Sequence, residues 1–112
     1  MLSGVNFEAR AGELIYLIGA TGSGKSSLLK TLYGELPLSS GSGQVCGVDL
    51  GGLKRGKVHE LRRRLGIVFQ DLELLMDRTV DSNLEFVLKV TGWKDRASKE
   101  HRKSEVLAQV GL

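Results

Sequence analysis

Apolar residues in this chain fall into two unlike patterns: unbroken runs, two of which precede Gln70, and helix-spaced repeats, which lie on both sides of it and dominate after it. Leu14-Ile15-Tyr16-Leu17-Ile18 and Leu65-Gly66-Ile67-Val68-Phe69 lack polar alternation, which predicts strands buried on both faces, as in a parallel sheet. Between them, Lys25 to Tyr33 carries Leu28, Leu29 and Leu32 at helical spacing, and Gly34 followed by Pro37 supplies a stop. Leu38 to Gly43 reads as a Ser/Gly loop leading into another strand, Gln44 to Leu50, which ends in the turn Asp49-Leu50-Gly51-Gly52. On that strand Cys46 would share a face with Val48 and Leu50 as a small buried hydrophobe. A short helix from about Lys57 to Arg64 follows, with Val58, Leu61 and Leu65 on one stripe.

The last third is helical in pattern. Val80, Leu84, Val87 and Leu88 predict an amphipathic helix from Thr79 to Thr91, capped by Thr79 and ended by Gly92. Asp95 to Val110 predicts another, charged at its start, apolar at Val106, Leu107 and Val110, and stopped by Gly111. No internal repeat is visible, so the order is a β-rich first half followed by a helical appendage.

Composition changes this picture little. At 112 residues, 41% hydrophobic and 26% charged, the chain reads as one small globular unit rather than a disordered one. No apolar stretch approaches the roughly 20 residues that span a bilayer, and the N-terminus lacks a signal-peptide pattern, so the expected location is cytoplasmic. Cys46 is the single cysteine, which excludes an intrachain disulfide and argues against a zinc site. The net charge of +3 is concentrated in Lys54, Arg55, Lys57, Arg62, Arg63 and Arg64. Nucleic acid is not expected from this run: the helical stripe leaves the arginines on a solvated face, and few aromatics accompany them. His59 and His101 are isolated and read as surface residues.

The informative chemistry lies directly after the first apolar run. Gly19-Ala20-Thr21-Gly22-Ser23-Gly24-Lys25-Ser26 fits G-x-x-x-x-G-K-[ST] at the junction of a predicted strand and a predicted helix. Glycines let the backbone curl so that several N–H groups aim at one anion, and Lys25 adds a mobile positive charge. The Ser26 hydroxyl can ligand Mg²⁺, and the helix would present its positive dipole end to the same phosphates.

Further residues carry a resemblance. The lead-in Gly12 to Gly19, the glycine loop, Ser40-Gly41-Ser42-Gly43, and Leu65-Gly66-Ile67-Val68-Phe69-Gln70-Asp71 together resemble ATP-binding cassette (ABC) ATPases over nearly the whole chain. The continuation Leu74-Leu75-Met76-Asp77-Arg78-Thr79-Val80 looks most like the FtsE-like cell-division subfamily, with the LolD and MacB exporter-type ATPases as near relatives.

The resemblance implies an α/β fold of the P-loop NTPase class: an antiparallel β region, the strand, loop and helix of Walker A, a Q-loop, and the start of a helical subdomain. It divides the chain into a nucleotide-binding core over 1–78 and helical subdomain over 79–112, with the parallel core sheet incomplete. Walker A would be Gly19 to Ser26, wrapping ATP, with Ser27 continuing the contacts near the α-phosphate. Gln70 would be the Q-loop glutamine, catalytic beside Lys25 and a ligand to Mg²⁺ beside Ser26. A neutral amide suits that post, because it offers an acceptor to the metal and a donor to water or phosphate. The implied partners are an integral membrane permease-like subunit, FtsX-like in the cell-division subfamily, and a second copy in a nucleotide-dependent homodimer. The implied location is the inner face of the plasma membrane.

Other family elements, a Walker B strand ending in Asp-Glu, a Leu-Ser-Gly-Gly-Gln motif and a later switch histidine, have no counterpart in these residues. The chain therefore reads as an N-terminal portion, beginning after the residue that stacks on adenine, able to bind nucleotide but not to hydrolyse it unaided. A rival reading makes Asp71 a Walker B aspartate, but Gln70 intervenes between it and the apolar run. With the Leu14 to Ile18 strand short of partners, the expected behaviour is marginal stability and self-association.

Overall fold

A computed structural model describes residues 2–112, which gather into two compact units, one running to Gly66 and the other spanning Ile67–Leu112. The first holds helix α1 (Lys25–Leu32), strands β1 (Gln44–Val45) and β2 (Val48–Asp49), and helix α2 (Val58–Arg62), which a 3₁₀ turn at Arg55–Lys57 precedes. The second holds helices α3 (Val80–Val90) and α4 (Arg96–Gln109).

The helices stand where the apolar spacing puts them, and their ends show why. Past α1 the Gly34 N–H donates to Thr31 C=O at 3.2 Å and the Glu35 N–H to Lys30 C=O at 2.8 Å, a Schellman stop with Gly34 at φ +77°. Gly92 and Gly111 close α3 and α4 with the same pair of bonds. At Gly34 the absent side chain also allows a close approach: a Cβ there would stand 3.1 Å from Val58 Cγ1 and 3.5 Å from Leu61 Cδ2. Leu61 is wholly buried and, with Leu50, forms the hydrophobic core among the described residues. Arg62 binds the same junction, donating from Nε to Tyr33 C=O at 3.1 Å with its guanidinium 5.7 Å from the Tyr33 ring centroid.

Three strand expectations are corrected. Leu14 to Ile18 lies outside any strand, with Ile18 88% exposed. Leu65 to Phe69 likewise lies outside any strand: Leu65, Ile67 and Phe69 are half-buried, while Val68 is 91% exposed. A strand exists only where a neighbour takes its N–H and C=O groups, and among the described residues the sheet ladder is confined to β1 and β2, paired antiparallel as Gln44 to Asp49 and Val45 to Val48. That register corrects the third expectation. The segment 44–50 folds back on itself, Cys46 and Gly47 form the two-residue loop at φ +48° and +77°, and Cys46 is exposed rather than buried. Arg64 ties the loop to the end of α2, donating from Nη1 to Cys46 C=O at 2.9 Å.

In the second unit the predicted Thr79 cap is present, its Oγ1 accepting from Ser82 N–H at 3.1 Å, and Asp95, read as the charged start of a helix, also caps it, its Oδ2 accepting from Ser98 N–H at 2.7 Å. Charge joins α3 to α4. Lys103, 4% exposed, contacts Asp81 at 2.8 Å, Glu100 at 2.8 Å and Glu85 at 3.5 Å, and Lys99 binds Glu85. Because Asp81 meets Lys103 while Glu85 meets Lys99, the two helices run antiparallel. Leu84, Leu88, Val106 and Leu107 are half-buried, whereas Val80, Val87 and Val110 are exposed, so the apolar faces are narrower than the spacing predicts. No described helix is long and apolar enough to cross a membrane.

Candidate functional site

The glycine loop reaches its shape through backbone torsions that a side chain opposes. Gly22 and Gly24 stand at φ +78° and +93°, and the Ser23 N–H donates to Ala20 C=O at 3.1 Å between them. Gly24 is the N-cap of α1, and Leu28 N–H closes the first helical bond onto its carbonyl at 2.9 Å. No side chain caps this end, and the first turn of α1 holds no acidic residue. Its leading N–H groups and dipole therefore have no competing anion of their own.

Lys25 lies over the loop. Its Nζ donates to Gly19 C=O at 2.6 Å and to Ala20 C=O at 2.7 Å, with Ser23 Oγ at 3.4 Å. The ammonium thus sits on the carbonyls of the same loop whose glycines curl the chain, where it can exchange those neutral acceptors for phosphate oxygens at a gain in charge assistance. A Cβ at Gly19 would stand 2.7 Å from Ser23 Oγ, so this glycine keeps room for Ser23 and for the Lys25 stem.

Ser26 and Ser27 follow on the exposed side of α1, and Thr21 is exposed in the loop. Nine sequence-nominated residues, Gly19 to Ser27, are thus brought into one loop and helix start. This cradle fits a polyphosphate: no Cβ intrudes at the three glycines, the helix end is uncapped, and a lysine is at hand. The Ser26 hydroxyl is a hard oxygen donor of the kind Mg²⁺ takes.

Gln70 belongs to the other unit. It is exposed in a turn that Leu72 N–H closes onto Phe69 C=O at 3.2 Å, with Asp71 beside it. Leu72 and Glu73 then take φ +57° and +46°, left-handed torsions unusual for non-glycine residues. Among the described residues no three His, Cys, Asp or Glu side chains gather into a metal cluster.

Sequence reasoning missed two supports. Leu2 covers the loop, since a Cβ at Gly24 would lie 2.6 Å from Leu2 Cγ. Asn83 grips the segment after Gln70, with its side chain bonded to Leu75 and Thr79. Leu2 has no signal beyond being apolar, whereas an asparagine on the first turn of a helix already capped by Thr79 could have drawn attention to a second local partner.

A loop of left-handed glycines, an uncapped helix start and a lysine folded over them define a protein of the P-loop nucleotide-binding class. Sequence comparison carries this further, because the ABC transporter family model matches residues 2–112. The chain belongs to that family. It is 40% identical over 111 residues to the cell division ATP-binding protein FtsE of Streptococcus pneumoniae strain D39, covering 99% of this chain and 48% of that one. It is similar in the same degree to methionine import ATP-binding proteins MetN: 40% identical to that of Caulobacter vibrioides and 36% to that of Nocardia farcinica, covering 33% of each and 99% and 100% of this chain. The chain therefore spans between a third and about half the length of these curated relatives.

Proposed function

We propose that this chain is the phosphate-gripping part of an ABC-type ATP-binding subunit that couples MgATP to a membrane partner. The observation that carries the reading is Lys25, held over the glycine loop by the carbonyls of Gly19 and Ala20 at the uncapped start of α1. The loop N–H groups and Lys25 would hold the β- and γ-phosphates, Ser27 would serve the α-phosphate, and Ser26 and, in the other unit, Gln70 would each offer an oxygen of the kind Mg²⁺ takes. Bound Mg²⁺ supplies charge neutralisation on the transferring phosphoryl group. Gln70 orients the attacking water and reports on the γ-phosphate. The described residues supply the grip and not the carboxylate that hydrolysis needs, so the 112 residues bind ATP and the complete subunit turns it over as a homodimer.

The helical stretch 79–112 is the start of a helical subdomain, after a nucleotide-binding core over 1–78. Its exposed Val80, Phe86, Val87 and Val90 on α3, with Met76 ahead of them, offer an apolar surface to a permease-like subunit at the inner face of the membrane. Similarity to FtsE favours an FtsX-like partner and a role in cell division. Similarity to MetN, at identities in the same range, supports an importer subunit as the second reading. Phosphate release by the complete subunit decides the enzymatic part: Lys25→Ala and Gln70→Ala should each lower turnover by about a hundredfold or more, the scale of removing one electrostatic stabiliser. Wild-type turnover in Lys25→Ala would overturn the assignment. Co-purification with a membrane subunit of either type separates the two partner readings.

A further inference from the structure

Asn83, on the first turn of α3, turns its side chain away from the helix body and onto the preceding loop. Its Oδ1 accepts from Leu75 N–H at 2.9 Å, and its Nδ2 donates to Leu75 C=O and to Thr79 C=O, each at 3.0 Å. These partners fix the amide's orientation, because the reverse would set its oxygen against two carbonyls and its NH₂ against an N–H. Taking both the N–H and the C=O of one residue is what an adjacent strand does in a ladder. Here a single side chain does it for a loop.

The loop it holds is the one that bears Gln70. Gln70 and Asp71 occupy the turn closed by Leu72 N–H on Phe69 C=O, and Leu72 and Glu73 follow in left-handed torsions that need surrounding structure to persist. Leu75 is the next fixed point: Arg78 N–H donates to its carbonyl at 3.1 Å, and Asn83 takes its remaining backbone valences. From Leu75 the chain reaches Thr79, whose side chain caps α3 and whose carbonyl accepts both the N–H and the Nδ2 of Asn83.

We propose that Asn83 is a positioning residue for Gln70, anchoring the loop from Leu72 to Thr79 onto α3 so that the Gln70 turn and α3 move together. This rests on the reading of Gln70 given above and deepens it: the Asn83 amide passes a displacement of α3 to Leu75, from which the turns at Leu72 and Glu73 lead back to Gln70. The Asn83 amide is bonded to Leu75 and Thr79, and Lys25 and the glycine loop belong to the other unit, so phosphate affinity and turnover should separate.

The test combines hydrogen exchange with kinetics on the complete subunit carrying Asn83→Ala, with Asn83→Asp as a second variant of unchanged size that loses both donations. Exchange at the Leu75 amide should quicken roughly tenfold in Asn83→Ala, the effect of losing one hydrogen bond, while the Leu84 and Leu88 amides within α3 stay protected. ATP affinity should hold within about twofold and turnover should fall several-fold in both variants. Turnover that falls while Leu75 stays protected in Asn83→Ala would overturn the anchor. Wild-type turnover in either variant, or in a Gln70→Ala control, would overturn the positioning role; the Gln70 control alone would also remove the reading of Gln70, leaving the exchange result to judge the anchor.

Discussion

Cys46 shows how far a single torsion can override a pattern. Alternation put it on a strand face with Val48 and Leu50, yet it occupies the first position of a two-residue hairpin loop at φ +48°, where Asn or Gly is the usual residue. Cys46→Asn should therefore stabilise the protein, by about 0.5 kcal/mol, read as a higher denaturant midpoint with unchanged slope. Gly24 makes the opposite case. At φ +93° and with Leu2 Cγ 2.6 Å from where a Cβ would stand, Gly24→Ala strains the loop twice over. It should weaken ATP binding by about tenfold or more, checked by titration, and it should cost about 1–2 kcal/mol of stability. The shape of the glycine loop was legible in the sequence because it is local: the left-handed Gly22 and Gly24, the bonds of Lys25 and the start of α1 all fall within a stretch of eight positions. Leu2 was not, since its role depends on the chain folding back from far along the sequence.

Among the elements, the helices were legible and the strands were not, for one physical reason. A helix satisfies its backbone within itself, so spacing, caps and glycine stops decide it. Thr79, Gly34, Gly92 and Gly111 all act at the ends where they were expected, and Asp95 caps the helix that was expected to begin there. A strand needs a ladder, and among the described residues the ladder is confined to β1 and β2, so the Leu14 to Ile18 and Leu65 to Phe69 runs lie outside it. Thr79→Ala should cost about 1 kcal/mol through the lost cap. The Asp95 carboxyl is held below the usual carboxylate range, first by the Ser98 hydroxyl and then by the Ser98 N–H. Because its folded pKa is the lower one, this stabilisation is present above the unfolded value near 3.9 and fades as pH falls through the folded value. Denaturant midpoints of wild type and Asp95→Asn should accordingly converge below about pH 4.

The charges between α3 and α4 were not legible as a set. Each of Asp81, Glu85, Lys99 and Lys103 reads as a solvated residue until the helices are laid antiparallel. Lys103 is held above the usual lysine range, first by its bonds to Asp81 and Glu100, so it remains charged until pH rises past that folded value. Lys103→Met leaves Asp81, Glu85 and Glu100 facing one another without their shared cation. The variant should melt earlier than wild type, and the deficit should shrink in about 1 M salt, where the Debye length is about 3 Å.

At the scale of the molecule, a small core contrasts with much exposed apolar surface. Leu50 and Leu61 are the buried hydrophobic residues described, while Leu14, Tyr16, Ile18 and Val68 are open to solvent. Unpaired apolar chain is a template for association. The 112-residue chain should therefore sediment as oligomers at micromolar concentrations, and Ile18→Lys should shift it toward monomer. A soluble wild-type monomer with cooperative unfolding would oppose this reading.

The central claim is that Gly19 to Ser26 grips a nucleotide through its phosphates, and it is tested most directly by displacement of a fluorescent ATP analogue from wild type and Lys25→Ala. ATP and ADP should displace the probe far better than AMP, and Lys25→Ala should lose affinity by about tenfold or more, as expected for a charge-assisted contact. Equal displacement by AMP, or a Lys25→Ala variant that binds like wild type, would contradict it.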